Sequence, residues 1–146
     1  MFLQFVQQPT PHLELERLVG QASRYFSAEL QIVAQDAAGR QATLRMRSAN
    51  DDCSFDLRAR LADDSDRAQL HPAELANQSH GMAGLGERCT CVWEVTPAPE
   101  ATRAACFQFG ALLASIALGP WLPPDGSGLY GVRSARVLAE QLRSGS

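Results

Sequence analysis

Lysine is missing from this 146-residue chain: all thirteen basic side chains are arginine. Schiff-base chemistry and P-loop phosphate binding both rest on a lysine amine, so neither is open to it. Basic charge is short in total as well. Thirteen arginines face sixteen carboxylates, for a formal net charge of −3, whereas a general nucleic-acid binder needs excess cations to displace counterions. No G-x-S-x-G nucleophile elbow occurs, and no internal repeat or low-complexity stretch interrupts the chain. The first nine residues, Met1 to Pro9, offer no basic n-region and only a short apolar stretch, unlike a signal peptide. The expectation is a cytoplasmic protein, in whose reducing compartment Cys53, Cys89, Cys91 and Cys106 stay thiols.

What is present fits an ordinary folded domain. With 45% hydrophobic and 20% charged residues the chain has too much apolar content for disorder. Its length suits one domain, 1–146. Residues 104–122 carry no charge and are long enough to cross a bilayer. Gln108, Ser115, Gly119 and Pro120 interrupt them, so we read a helix buried on most sides and no membrane span.

Periodicity predicts the fold class. Residues 2–7 read as a short strand. Thr10 and Pro11 read as the N-cap and first position of a helix over about 11–27, with Leu15, Leu18, Val19, Ala22, Tyr25 and Phe26 on its apolar face. Segments 29–35, 41–48 and 53–61 each alternate apolar and polar residues and are joined by turn-forming linkers, which predicts a three-stranded antiparallel meander over 29–61. The expected rows are Leu30–Met46–Phe55, Ile32–Leu44–Leu57 and Ala34–Ala42–Ala59 on the inner face. Glu29 with Arg47, Arg45 with Asp56, and Thr43 beside Arg58 are expected on the outer face.

Residues 65–78 read as a polar helix with a break or restart at Pro72. A glycine-rich loop (81–86) and a strand over 88–95 follow, the strand setting Cys89, Cys91, Trp93 and Val95 on one face. Then come a long helix over 98–118, a proline- and glycine-rich connection, and a short C-terminal helix over 133–143. The class is therefore α+β: a meander extended by one strand and packed by two helices.

Candidate chemistry is sparse. Cys89 and Cys91 with His71 and His80 offer two sulfurs and two nitrogens for a metal, although structural zinc sites take paired cysteines from wider spacing at a turn; the competing reading is two buried thiols. Asp63 to Glu74 spans a calcium-loop length, but Arg67 stands at a ligand position and Ala68 where glycine is required. The 81–86 glycines precede a strand and meet no lysine, so a connector is favoured over a phosphate cradle. Ser79 and His80 beside Asp63, Asp64 or Asp66 form no known hydrolytic pattern. Arg45, Arg47, Arg58 and Arg60 line the outer face of the meander, where guanidinium groups could fork onto an acidic partner; the alternative is a solvated face neutralised by Glu29 and Asp56.

The order of helix (Leu15–Phe26), meander (Glu29–Leu61), helix (Leu70–Gln78), strand (Arg88–Val95) and long helix resembles class I type III secretion chaperones. That resemblance implies a dimer that binds an extended segment of an effector protein. It covers roughly residues 11–118, and the first strand and the tail after Leu118 depart from it. Using the first strand instead, the order comes near a ferredoxin-like split βαβ arrangement, which hosts many functions. The leading functional expectation is a non-catalytic protein-binding module, an effector chaperone or immunity-type protein, with another protein or a second copy as partner and no cofactor. A metal or small-molecule binder using Cys89, Cys91, His71 and His80 stays open, as does an enzyme working at the glycine-rich loop.

Overall fold

The structure, a computed structural model, describes residues 1–49, 51–76, 89–117 and 119–122 and the single position 141. The expected C-terminal helix (133–143), the glycine-rich loop, Ser79, His80 and the expected strand start at 88 lie outside the described residues. Among the described residues six strands form one antiparallel sheet: β1 (Phe2–Val6), β2 (Glu29–Gln35), β3 (Gln41–Arg47), β4 (Asp52–Leu61), β5 (Cys91–Pro97) and β6 (Trp121–Leu122). Their spatial order is β2-β3-β4-β5-β1-β6. The helices described in full that pack on it are α1 (Leu15–Tyr25), α2 (Asp64–Ala76) and α3 (Arg103–Ala117). The α+β class, the meander and its extension by β5 are as the sequence predicts.

Alternation assigns the faces. Leu30, Leu44, Met46, Cys53, Phe55, Leu57 and Ala59 turn inward, join Trp93 and Val95, and meet Leu15, Leu18 and Ala22 of α1 and Phe109 and Leu113 of α3. Phe55 stacks on Phe109 at 4.1 Å between centroids with ring planes 3° apart, an arrangement worth about 0.5–1.5 kcal/mol beyond burial. Every residue of α3 from Ala105 to Ala114 is buried. The uncharged run is thus a core helix, and among the described residues no helix is long and apolar enough to cross a membrane.

β1 differs from the other strands because all five of its residues are buried. Phe2 and Val6 enter the main core, while Leu3 and Phe5 join Leu70 and Ala73 of α2, Cys89, Val92 and Leu122 in a second apolar cluster. The sheet is therefore covered on both sides over β5, β1 and β6. Gln4, fully buried, donates its amide to the carbonyls of Gly119 (2.8 Å) and Phe5 (2.9 Å), tying β1 to the chain that enters β6.

Several boundaries differ from expectation, each for a local reason. Residues 11–14 are not helical, because the segment from Gln8 to Leu13 serves as a strap across the end of the main core. The Trp93 indole N–H donates to the His12 carbonyl at 3.0 Å, Leu13 N–H donates to the Gly39 carbonyl at 2.8 Å, and Thr90 and Cys91 donate to the Gln8 carbonyl. A backbone committed to these partners cannot also close helical turns. Tyr25, expected on the inner face of α1, is 51% exposed. Helix α3 begins at Arg103 and not at 98, since Thr102 is the cap whose hydroxyl accepts the Ala105 N–H at 3.0 Å. Helix α2 passes through Pro72 without a break. The carbonyl that loses its helical donor belongs to the exposed Ala68, where water can replace it.

The register of the second hairpin is shifted by two residues from the expected rows. Arg47 pairs with Asp52, so the loop is four residues long, and Met46 faces Cys53, Leu44 faces Phe55 and Ala42 faces Leu57. A two-residue shift preserves every face, so alternation cannot detect it. On the outer face Arg45 stands opposite Ser54 and not Asp56, and Thr43 opposite Asp56 and not beside Arg58. Glu29 does face Arg47, but an irregularity between Ile32 and Ala34 then sets Ala34 opposite Thr43.

Gly110 has a packing reason. A β-carbon there would overlap the Trp121 ring, which also meets Phe107 and Phe2 edge-on at 4.7 and 5.2 Å. Gly110→Ala should gain about 1 kcal/mol of helix propensity yet lose more by overpacking, for a net loss of about 1–2 kcal/mol. Urea unfolding checks this, and a raised midpoint would refute the Trp121 contact.

Candidate functional site: the outer face of the meander

On the side of the sheet where α2 sits, the helix packs its apolar residues over the β5-β1-β6 half and meets β4 at Arg60. The outward side chains of β2, β3 and β4 form rows that can be read from the pairing. Arg47 and Asp52 make one row, Arg45 and Ser54 the next, then Thr43, Asp56 and Thr96, then Gln41, Arg58 and Glu94. Between the last two rows runs a shallow open groove of about 520 Å³, with Ala34, Gln35 and Asp36 at its β2 end.

The four arginines expected to gather here lie on this face, but they do not act as one cationic patch. Arg45 forks onto Asp52, with Nε to Oδ1 and Nη2 to Oδ2 both at 2.8 Å. Arg47 lies 3.8 Å from the same carboxylate. Both pairs are exposed and weakened by salt. Arg60 is committed further. Its Nη1 and Nη2 donate to the two oxygens of Asp66, the second at 2.7 Å, while Nε donates to Glu94 at 2.6 Å. Among the described residues Arg58 alone of the four has no carboxylate within 4 Å.

Asp66, which the sequence brought up only beside Ser79 and His80, is the partner of Arg60 that sequence reading missed. Its side chain is 2% exposed, and it also closes the start of α2. Asp63 Oδ1 accepts the Asp66 N–H at 2.9 Å and Asp66 Oδ2 accepts the Asp63 N–H at 2.8 Å, a reciprocal cap. The spacing Asp63-x-x-Asp66 carried that signal. Burial works to raise the Asp66 pKa, but the Arg60 guanidinium and the Asp63 N–H outweigh it and hold the carboxyl below its ordinary value of 3.8. The cluster thus clamps α2 to β4 and β5 and marks the boundary between covered and open halves.

Within the groove, Asp36 Oδ1 accepts the backbone N–H groups of Arg40 (2.8 Å) and Gln41 (3.1 Å). The Gln41 bond is the largest cause of a carboxyl held below its ordinary range. Asp56 accepts the Thr43 hydroxyl at 2.6 Å. Thr43, Asp56 and Arg58 share the outward parity visible in the sequence, whereas Glu94 and Asp36 reach the groove only through the sheet order.

Of the residues considered for metal, Cys89, Cys91 and His71 are described and are placed apart. Strand β5 begins at Cys91, so the expected alternation does not extend back to Cys89. Cys91 lies in the main core and Cys89 in the second cluster, while the His71 side chain is exposed on α2. Among the described residues no group of three or more histidine, cysteine or acidic side chains could hold a metal ion. All four cysteines are buried. Burial pushes the Cys53 thiol up to about 11 and raises that of Cys106, so neither is a ready thiolate near neutral pH.

Comparison with protein-family models, with curated proteins and with solved structures returned no match.

Asp66→Asn leaves Arg60 short of a charge partner at a largely buried position and should cost about 3 kcal/mol of stability. Because the folded pKa is depressed, the native contribution is complete above about pH 4 and fades as pH falls through the folded value. Unfolding midpoints measured from pH 7 down to 3 should therefore converge for the two proteins. A constant gap would show that the carboxylate charge is not what matters.

Proposed function

We propose that the chain is a non-catalytic protein-binding module whose partner, another protein or a second copy of the chain, docks on the outer face of the meander. One observation carries this reading. Helix α2 covers its side of the sheet over β5, β1 and β6 and meets β4 at Arg60; among the described residues it leaves the other outward side chains of β2, β3 and β4 uncovered, with the groove running across them. A sheet face with charged and hydroxyl side chains fixed on a rigid frame suits recognition. Cys53 and Cys106, with their buried and raised thiols, suit packing better than chemistry.

The order of elements supports a more particular form, an effector chaperone or immunity-type protein. Helix α1, the β2–β4 meander, α2, β5 and α3 follow the succession that resembles class I type III secretion chaperones. The central place of β1 lies outside that likeness.

The test compares one variant on this face with one on the far side. The immobilised chain is exposed to an extract of its own source cells, and native mass spectrometry of the free chain reports self-association. A stoichiometric companion, protein or second copy, should be retained by the wild type and by Arg24→Glu on exposed α1. Its retention should fall at least tenfold in Thr96→Arg, which fills one groove wall. Equal retention by all three would move the partner off this face. A chain that stays monomeric and holds no stoichiometric companion would overturn the reading.

A further inference from the structure

The groove's own charges identify the kind of segment it takes. Its lining includes three carboxylates, Asp36, Asp56 and Glu94, against one cation, Arg58. Glu94 is already met by Arg60. Among the described residues Asp36 and Asp56 are met only by backbone N–H groups and a hydroxyl, and no arginine or histidine lies within 4 Å of either. Two carboxylates held by neutral donors therefore stand at the β2 end and the middle of the trough, fixed in place and uncompensated. The cations of this face are spent elsewhere: Arg45 and Arg47 on Asp52, two rows away, and Arg60 on Asp66 and Glu94.

The shape limits the occupant. The groove crosses the sheet from β2 to β5, three strand spacings or about 14 Å, which about four residues of extended chain would fill. Its walls are side-chain rows two residues apart on each strand, so it is a trough for a chain lying crosswise and not a pocket that encloses a small molecule.

We propose that this trough binds a short extended segment of the partner protein that carries arginine or lysine, its cations meeting Asp36 and Asp56 and its backbone lying over Thr43 and Thr96. This deepens the reading of the outer face as the partner site and rests on it. It also reverses the sign suggested by the arginine-rich sequence pattern: the four arginines are largely neutralised, and what the groove offers is acidic. Complementary charge of this kind sets selectivity and association rate more than raw affinity.

The probes are two fluorescein-labelled octapeptides, one alternating arginine with serine and one alternating glutamate with serine, read by anisotropy at low and moderate salt. We expect the arginine peptide to bind at least tenfold tighter than the glutamate peptide, and more weakly as salt rises. Asp36→Asn with Asp56→Asn should weaken it at least fivefold; both changes are isosteric and keep an oxygen for the Gln41 and Thr43 donors. Glu16→Gln with Asp64→Asn removes two remote charges and should leave binding unchanged, which separates the groove from the overall charge of −3. Arg58→Gln should tighten the arginine peptide about twofold. Equal weakening by the remote pair would overturn the proposal. So would glutamate-peptide binding that Arg58→Gln abolishes, an outcome that keeps the face as the partner site and reverses its charge preference. If neither peptide binds, the proposal falls; hydrogen exchange of residues 41–58 with the captured companion then decides separately whether the outer-face reading survives.

Discussion

A strand that is apolar on both faces has to be covered on both, and β1 sets that requirement for the whole molecule. Phe2 and Val6 look one way, Leu3 and Phe5 the other, and none of them is more than 3% exposed. Such a strand cannot sit at an edge or on a one-sided sheet. It lies between β5 and β6, with the main core on one side and α2 on the other. The two-residue β6, Trp121 against Gly110, and the close approach of Gly119 to the Phe5 carbonyl all follow from completing the surroundings of this strand. The meander makes no such demand. Its strands are apolar on one face only, so a single layer of helices satisfies them, and among the described residues most of their other face is open.

Where the two regimes meet, at the ends of β4 and β5, the molecule places its most deeply engaged ion pair. Replacing a buried ion pair by apolar side chains of similar volume often costs nothing, so the effect of Arg60 is better understood as positional. One guanidinium contacts a carboxylate on β5 and another at the start of α2, fixing where the helix begins relative to the sheet. Helix α2 is short of apolar grip by itself, with Leu70 and Ala73 as its buried apolar residues among those described. The polar contact supplies direction that these two residues cannot.

Much of this was legible in the sequence, to a depth set by physics. Period-two alternation separates inward from outward residues, and it did so correctly for Leu44, Met46, Phe55 and Leu57. It is blind to a slip of two residues, so the partners of Arg45 and Thr43 were misassigned. Local signals failed where a distant partner claimed the backbone: Thr10 and Pro11 look like a helix start, yet that stretch is held by Trp93 and Gly39, some eighty and thirty residues away. The candidate site shows the same division. Parity placed the four arginines on one face, but which carboxylates would reach them depended on register and sheet order. Asp66 and Glu94 come from elements whose neighbours could not be read locally.

The placement of β1 also bears on the order in which the molecule can assemble. During synthesis residues 2–6 emerge well before their partners in β5 and β6, which follow about ninety and one hundred and twenty residues later. The β2–β4 meander closes through loops of a few residues and can form meanwhile, since local contacts lose little chain entropy on closure. Until β5 leaves the ribosome the nascent chain therefore carries its most apolar strand unpaired. The β2–β4 part of the groove can form before β5 completes it, and β1 finds its first partner only when β5 emerges.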